Sequence, residues 1–410
     1  MRAIETDPPG RAAAVAVARF PTFEGLRALA ALGVLVFHAA GLTEVTTGPD
    51  AGAGAGAWLN HLSVGVSVFF VLSGFLLFRP MVEAHLRGVP GPPVVPYLVR
   101  RAVRIYPAYW VALAASVWLL DLNIGDGWAQ FRFFALLQIY WGDTVLGGLP
   151  QAWTLCTEVS FYLFLPVWAA AMARVGGSVE RRARLHLVGL GVLYAIGLVV
   201  RARLRSGGHD LGYTTLPANI DLFAIGMALA VASASSAVRR RAPGAIGRTL
   251  GGAPGAAWLA AACCYGAVVA LRLPYGFDPP TVVQEVLRQV LFGLIAGLVV
   301  GPGVFGPQDD GWIRQALRWR PVVALGVVSY GLYLWHLTVQ EWLVRPGRPL
   351  AGASLAELVL WSTPVAVALA AASWFGIERP LLRAVRQPAR RPGRQGTAPG
   401  GATGRSERIV

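Results

Sequence analysis

Residues 23–39 read FEGLRALAALGVLVFHA. Between Arg27 and His38 lie ten residues without a charge or a strong polar group. On an α-helix, eleven residues make three turns plus about 20°, so the two side chains share one face, roughly 16 Å apart along the axis. An apolar run of this length is a candidate membrane span. An ionisable group inside a span is costly to place, so it usually faces the bundle interior and marks a site. Two questions follow: whether the whole chain is built of such runs, and whether Arg27 and His38 belong to one site.

The first is answered by composition. Of 410 residues, 55% are hydrophobic and 14% charged, where a soluble protein carries about a quarter charged residues. Apolar runs recur at 26–42, 62–78, 103–120, 153–173, 185–200, 216–233, 256–272, 282–300, 321–342 and 355–376. This pattern predicts an all-α, polytopic integral membrane protein with about ten transmembrane helices. A net charge of +15 would point to nucleic acid in a soluble chain. Here all 36 basic residues are arginine, and most sit in short loops beside the runs. That is a topology signal, and it makes the lipid bilayer, not nucleic acid, the expected partner.

Segment 128–149 mixes Trp128, Phe131, Phe133, Phe134, Tyr140 and Trp141 with Arg132, Gln138 and Asp143. If it does not cross, the arginines concentrate on one side and both termini are cytoplasmic; if it crosses, the bias collapses. The expectation is therefore ten spans, with 121–152 an outer aromatic element that lies in the interface or folds back into the bundle. Residues 1–20 are expected as a disordered cytoplasmic N-terminus, 21–382 as the membrane domain and 383–410 as a disordered basic cytoplasmic tail. Cys156, Cys263 and Cys264 all fall within apolar runs. They offer no disulfide framework and no metal-ligand spacing, so no metal is expected.

Few ionisable residues lie inside the spans: His38, Glu158, Asp221, Glu285 and His336, with Arg27, Arg101, Arg104 and Glu378 at inner ends. Position along each span puts His38, Glu158, Asp221 and His336 in the outer half. Each has a plainer reading: a snorkelling Arg27, an interfacial His336, an Asp221 that caps a helix start. A histidine in mid-span at the depth of a glutamate is harder to dismiss, because buried imidazole and carboxylate can hold and pass a proton. Proton-coupled transport would use the same ingredients. On the inner side, RRAVRIYPAYW sets Arg101 and Arg104 three residues apart, either a topology signal or a clamp for phosphate oxygens. In GVSVFFVLSGFLLF, Gly65, Ser67, Ser73 and Gly74 are read as small residues for close helix packing.

Seven motifs in order give the chain a specific resemblance: FEGLRALAALGVLVFHA, GVSVFFVLSGFLL, RRAVRIYPAYWVAL, AWTLCTEVSFYLFLPV, NIDLFAIGMALA, SYGLYLWHLTV and IERPLLR. Over residues 20–385 it resembles membrane-bound acyltransferase family 3, which includes bacterial O-acyltransferases of surface glycans and antibiotics. The resemblance implies transfer of an acyl group, usually acetyl, from cytoplasmic acyl-CoA to a hydroxyl. The family's Arg-x10-His matches Arg27 and His38, its Arg-x-x-Arg matches Arg101 and Arg104, and its span-4 glutamate matches Glu158. Its Tyr and His block matches Tyr330, Tyr333 and His336. Two departures stand out: Val159 occupies a place where relatives carry a second polar residue, and Asn219 and Asp221 lack a nearby arginine.

The expected enzyme is thus an O-acyltransferase of the bacterial cell membrane, with acyl-CoA, acetyl-CoA foremost, as donor. His38 would be the general base, Glu158 would orient it or bind the acceptor, and Tyr330 and His336 would steady the oxyanion. Arg27, Arg101 and Arg104 would bind the CoA phosphates, and Asp221, Tyr333 and Trp153 the acceptor, a sugar, a surface glycan or a glycosylated small molecule. The rival is a proton-coupled exporter or flippase of a lipid-linked or hydrophobic molecule.

Overall fold

The structure is a computed structural model that describes residues 20–48, 54–208, 210–274 and 280–385. The expected N-terminal segment 1–20, apart from its last residue, and nearly all of the expected tail 383–410 lie outside the described residues. The described residues form helices and turns with no β-strand. The helices are α1 (Phe23–Leu42), α2 (Gly54–Leu59), α3 (Val64–Arg87), α4 (Val94–Leu120), α5 (Gly127–Phe134), α6 (Trp153–Ala173), α7 (Val179–Gly207) and α8 (Ile220–Arg239). They continue as α9 (Ala245–Gly252), α10 (Pro254–Ala270), α11 (Val282–Val304), α12 (Trp312–Leu317), α13 (Arg320–Val327), α14 (Ser329–Val344), α15 (Leu355–Ser373) and α16 (Arg379–Ala384). By length and hydropathy, eight helices can cross a membrane; two bent pairs, α9 with α10 and α13 with α14, raise the number to ten. Each expected run has its helix or helix pair.

Two spans depart from the expected straight course. The pair α9 and α10 bends by 94°, and the pair α13 and α14 by 73°. The second bend has a visible companion: a Cβ at Gly326 would lie only 1.9 Å from the Glu24 carbonyl oxygen, so α13 crosses directly on the backbone of α1. The chain turns at Val328 and starts again as α14, which is buried on every side from Gly331 to Gln340. Non-helical backbone at membrane depth is tolerated where it is covered by protein or lines a cavity, and Ser329 and Tyr330 just past the break line one.

The glycines of the second span do as expected. A Cβ at Gly65 would sit 2.6 Å from Ala30 O on α1, and one at Gly74 would sit 2.4 Å from Phe223 O on α8. From the other side, Gly226 of α8 presses on Val71. These contacts bring α1, α3 and α8 together at backbone distance, which is how helices associate where lipid removes the hydrophobic incentive.

The 121–152 segment folds back against the bundle. Only the eight residues of α5 and short 3-10 turns are helical in its interior. Its irregular backbone is satisfied by the aromatic face of α4: Tyr109 donates to Phe133 O (2.8 Å), Trp110 to Phe134 O (2.8 Å) and Tyr106 to Ala135 O (3.2 Å). Phe133, Leu136 and Ile139 are buried, whereas Trp128 and Phe131 remain exposed.

Candidate active site

A cavity opens among α1, α3, α4, α6 and α14. Its lining is sorted end to end. At one end, Arg27, Arg101 and Arg104 gather around Glu158, with Ser73, Tyr162 and Tyr330. Ser73 donates to Glu158 Oε1 (2.8 Å) and Tyr162 to Oε2 (2.7 Å), so both carboxylate oxygens are occupied by hydroxyl donors. Arg101 lies over the Tyr162 ring at 5.8 Å, and its buried Nε has no hydrogen-bond partner among the described residues. Arg27 pairs with Glu24 at 3.3 Å. Among the described residues no carboxylate lies within 4.0 Å of Arg101 or Arg104, although Glu158 and the buried Glu378 are in electrostatic reach of the group. This end is cationic, with donors left over.

The other end is apolar and aromatic: Val66, Phe69 and Phe70 of α3, Leu155 of α6 and Tyr333 of α14. The Tyr333 hydroxyl donates to Gln151 O (3.2 Å) and lies 3.0 Å from the Thr154 hydroxyl. Its ring packs edge-on to Phe69 (5.9 Å between centroids) and against His336 (5.7 Å). Behind this wall His336 meets His38, Nε2 to Nδ1 at 3.1 Å.

The tautomers of the histidine pair follow from their partners. His336 Nδ1 faces the carbonyls of Tyr333 (2.8 Å) and Leu332 (3.2 Å). A carbonyl only accepts, so Nδ1 carries the proton and, in the neutral ring, Nε2 is a lone pair. His38 Nδ1 faces that lone pair and Val34 O at 2.9 Å, so it too is protonated. His38 Nε2 is then the basic nitrogen, and it has no hydrogen-bond partner among the described residues.

The structure therefore brings His38 and His336 into contact, and separately gathers Glu158, Arg27, Arg101, Arg104, Tyr330 and Tyr333 around the cavity. Glu158 contacts neither imidazole, so of its two expected roles the orienting of His38 has no contact behind it; its partners are Ser73 and Tyr162, and arginines surround it. Tyr330 donates to Ile105 O (2.8 Å) and the His336 N–H is held by carbonyls, so neither presents a free donor for an oxyanion. Arg101 and Arg104 lie within α4, which begins at Val94, and not at its start. Trp153 backs the wall through an edge contact with Phe70 at 6.1 Å.

Asp221 does not line the cavity. It is fully buried, and Oδ2 accepts from Gln289 of α11 at 2.8 Å. The arginine missing from its own segment comes from α7: Arg201 donates to Asn219 Oδ1 (2.8 Å) and pairs with Glu285 at 2.6 Å. This network ties α7, α8 and α11 together. Tyr162, and Ser73 beyond its packing role, stand outside the expected site residues. Tyr162 carried a signal, since it lies four residues after Glu158 on the same helix face; Ser73 carried none beyond its small size. Among the described residues no cluster of three or more His, Cys, Asp or Glu side chains is arranged to hold a metal ion.

Fold and site together define a class, the many-helix membrane protein with a cation-lined cavity backed by paired imidazoles. A family model described as an acyltransferase domain matches residues 20–378, and the chain belongs to that family, acyltransferase family 3. It is 27% identical over 381 residues to the acyltransferase MdmB of Streptomyces mycarofaciens, covering 87% of each chain. It is also similar to YrhL of Bacillus subtilis (25% identical, 88% of this chain and 54% of that one), whose name provisionally assigns it peptidoglycan O-acetylation. The peptidoglycan O-acetyltransferase OatA of Listeria monocytogenes is 23% identical over 78% of this chain and 49% of its own. The chain thus spans about half the length of YrhL and OatA. No solved structure matches it.

Proposed function

We propose that the protein transfers an acyl group, acetyl foremost, from acyl-CoA to a hydroxyl of a sugar or surface glycan at a bacterial cell membrane. The observation that carries this reading is the cavity with three arginines at one end and, behind its aromatic end, an imidazole pair whose basic nitrogen has no hydrogen-bond partner among the described residues. Arg101, Arg104 and Arg27 take the CoA phosphates at the cationic end, where guanidinium forks bind phosphate oxygens in pairs. Glu158, fixed by Ser73 and Tyr162, sets a carboxyl group among the like-charged guanidiniums.

The donor's thioester arm runs along the cavity toward Tyr333 and the histidine pair. His38 Nε2 takes the proton from the acceptor hydroxyl as its oxygen attacks the thioester carbonyl. His336 Nε2 accepts from His38 Nδ1–H and steadies the imidazolium that forms. Collapse of the tetrahedral adduct breaks the C–S bond, and the CoA sulfur leaves with the proton that His38 had taken. The products are the ester and CoA–SH.

The test is isothermal titration of acetyl-CoA into the purified chain in nanodiscs, followed by CoA release with muropeptide and monosaccharide acceptors. The reading expects binding weakened by Arg101→Ala/Arg104→Ala, and turnover abolished by His38→Ala with binding kept. A chain that neither binds acetyl-CoA nor releases CoA would leave the exporter or flippase reading in its place.

A further inference from the structure

The cavity's apolar end has one member that differs from its neighbours. Phe70 is 1% exposed and locked between a stacked Phe223 (4.6 Å) and the edge of Trp153. Tyr333 is held through its hydroxyl by Gln151 O and Thr154. Phe69 has no polar anchor, is only half-buried, and makes an edge contact with Tyr333. It also belongs to two apolar groups at once. It packs on the main core of α3, α6 and α8. It also packs on the small cluster of α1, α14 and α15 that contains Leu35, Leu332 and Ala366. His38 and His336 grow from α1 and α14, and the Tyr333 ring that Phe69 touches packs in turn against His336 at 5.7 Å.

We infer that Phe69 is the specificity-determining residue for the acyl group: its ring closes the apolar end of the cavity and restricts the donor to short acyl chains. The inference rests on the acyl-CoA reading above. A donor held by its phosphates at the arginine end directs its acyl chain at this ring. Each methylene beyond the space in front of Phe69 must then displace it from Tyr333 or be left without room. Discrimination per methylene in an apolar pocket is about 10- to 200-fold. The restriction belongs to Phe69 and not to Phe70 or Tyr333, because those two form fixed walls whichever donor is bound.

The test measures dissociation constants of acetyl-, butyryl- and hexanoyl-CoA on the full chain in nanodiscs, for wild type, Phe69→Ala, Phe69→Leu and Phe69→Trp. Size-exclusion profiles confirm folding, and the ratio of hexanoyl to acetyl affinity is insensitive to the active fraction. Wild type should bind hexanoyl-CoA at least tenfold more weakly than acetyl-CoA. Phe69→Ala should recover about tenfold or more of that loss, Phe69→Leu a smaller part, and Phe69→Trp should move the ratio the other way. Ratios in all three variants within threefold of wild type, with acetyl-CoA still bound, would overturn the assignment and leave the donor reading standing. Failure of wild type to bind any acyl-CoA overturns both.

Discussion

Replacing His336 by phenylalanine tests the histidine pair most directly. Phenylalanine keeps a ring of similar size beside Tyr333 but removes the lone pair that faces His38 Nδ1 at 3.1 Å. Val34 O, at 2.9 Å from the same nitrogen, still accepts, so the tautomer of His38 survives. What is lost is one hydrogen bond from the imidazolium in the transition state. Hydrogen bonds to charged groups contribute about 1.5–3 kcal/mol, so kcat/KM should fall by about 10- to 150-fold. His336 does not line the cavity, so the Kd for acetyl-CoA should stay within about twofold, as for sites that share no partner. His336→Gln, whose amide oxygen can accept from His38 Nδ1–H, should regain part of the rate. The assay is CoA release under saturating acetyl-CoA and an accepted hydroxyl, with His38→Ala alongside. Loss as deep as that of His38→Ala, or a weakened Kd, would refute the reasoning, because His336 would then carry the proton or touch the donor itself.

Three further outcomes are expected. Arg101→Ala or Arg104→Ala alone should raise the Kd for acetyl-CoA about tenfold or more, the loss of one charge-assisted contact, and titration calorimetry checks it against a truncated donor without phosphates, on which the variants should bind like wild type. Gly226→Ala should cost about 3 kcal/mol of stability, since its Cβ would meet Val71 O at 2.1 Å and helix backbones cannot step aside; Gly176→Ala, with open space around it, should be neutral in the same thermal-melt series. Arg201→Ala should destabilise by about 1.5–3 kcal/mol, because it removes charge-assisted hydrogen bonds to the buried Glu285 and to Asn219 while Arg288 still pairs with Glu285, and folded protein that survives should still bind acetyl-CoA like wild type.

Much of the scaffold could be read from period and length. Every expected apolar run became a helix, because runs of that length in a chain this poor in charge have no other way to satisfy their backbone. The break at Val328 was not legible: PVVALGVVSYGLYLW is continuous in hydropathy, and the bend accompanies a contact between Gly326 and Glu24, three hundred residues apart in sequence. The same limit governs the site. Depth along a span is a property of one helix, so His38 and His336 were placed at one level. Facing is a property of the assembled bundle, so depth alone leaves Glu158 between orienting His38 and binding the acceptor, and the bundle sets it among hydroxyls and arginines. Arg201 lies one residue past the apolar run 185–200, whereas α7 continues to Gly207 and its guanidinium is buried against Glu285 and Asn219.

Arg27 and His38 ride on a single unbroken helix, and that makes α1 a measuring rod. The apolar residues between them can be exchanged for others of similar size, but their number cannot change freely. One residue added or removed turns His38 by about 100° away from His336 and lets a different side chain face it. Adding four residues nearly restores the facing but lengthens the rod by about 6 Å, more than a hydrogen-bonded pair can span. Substitution and insertion in this helix are therefore different kinds of change: the first alters a surface, the second alters the distance between a cation and an imidazole.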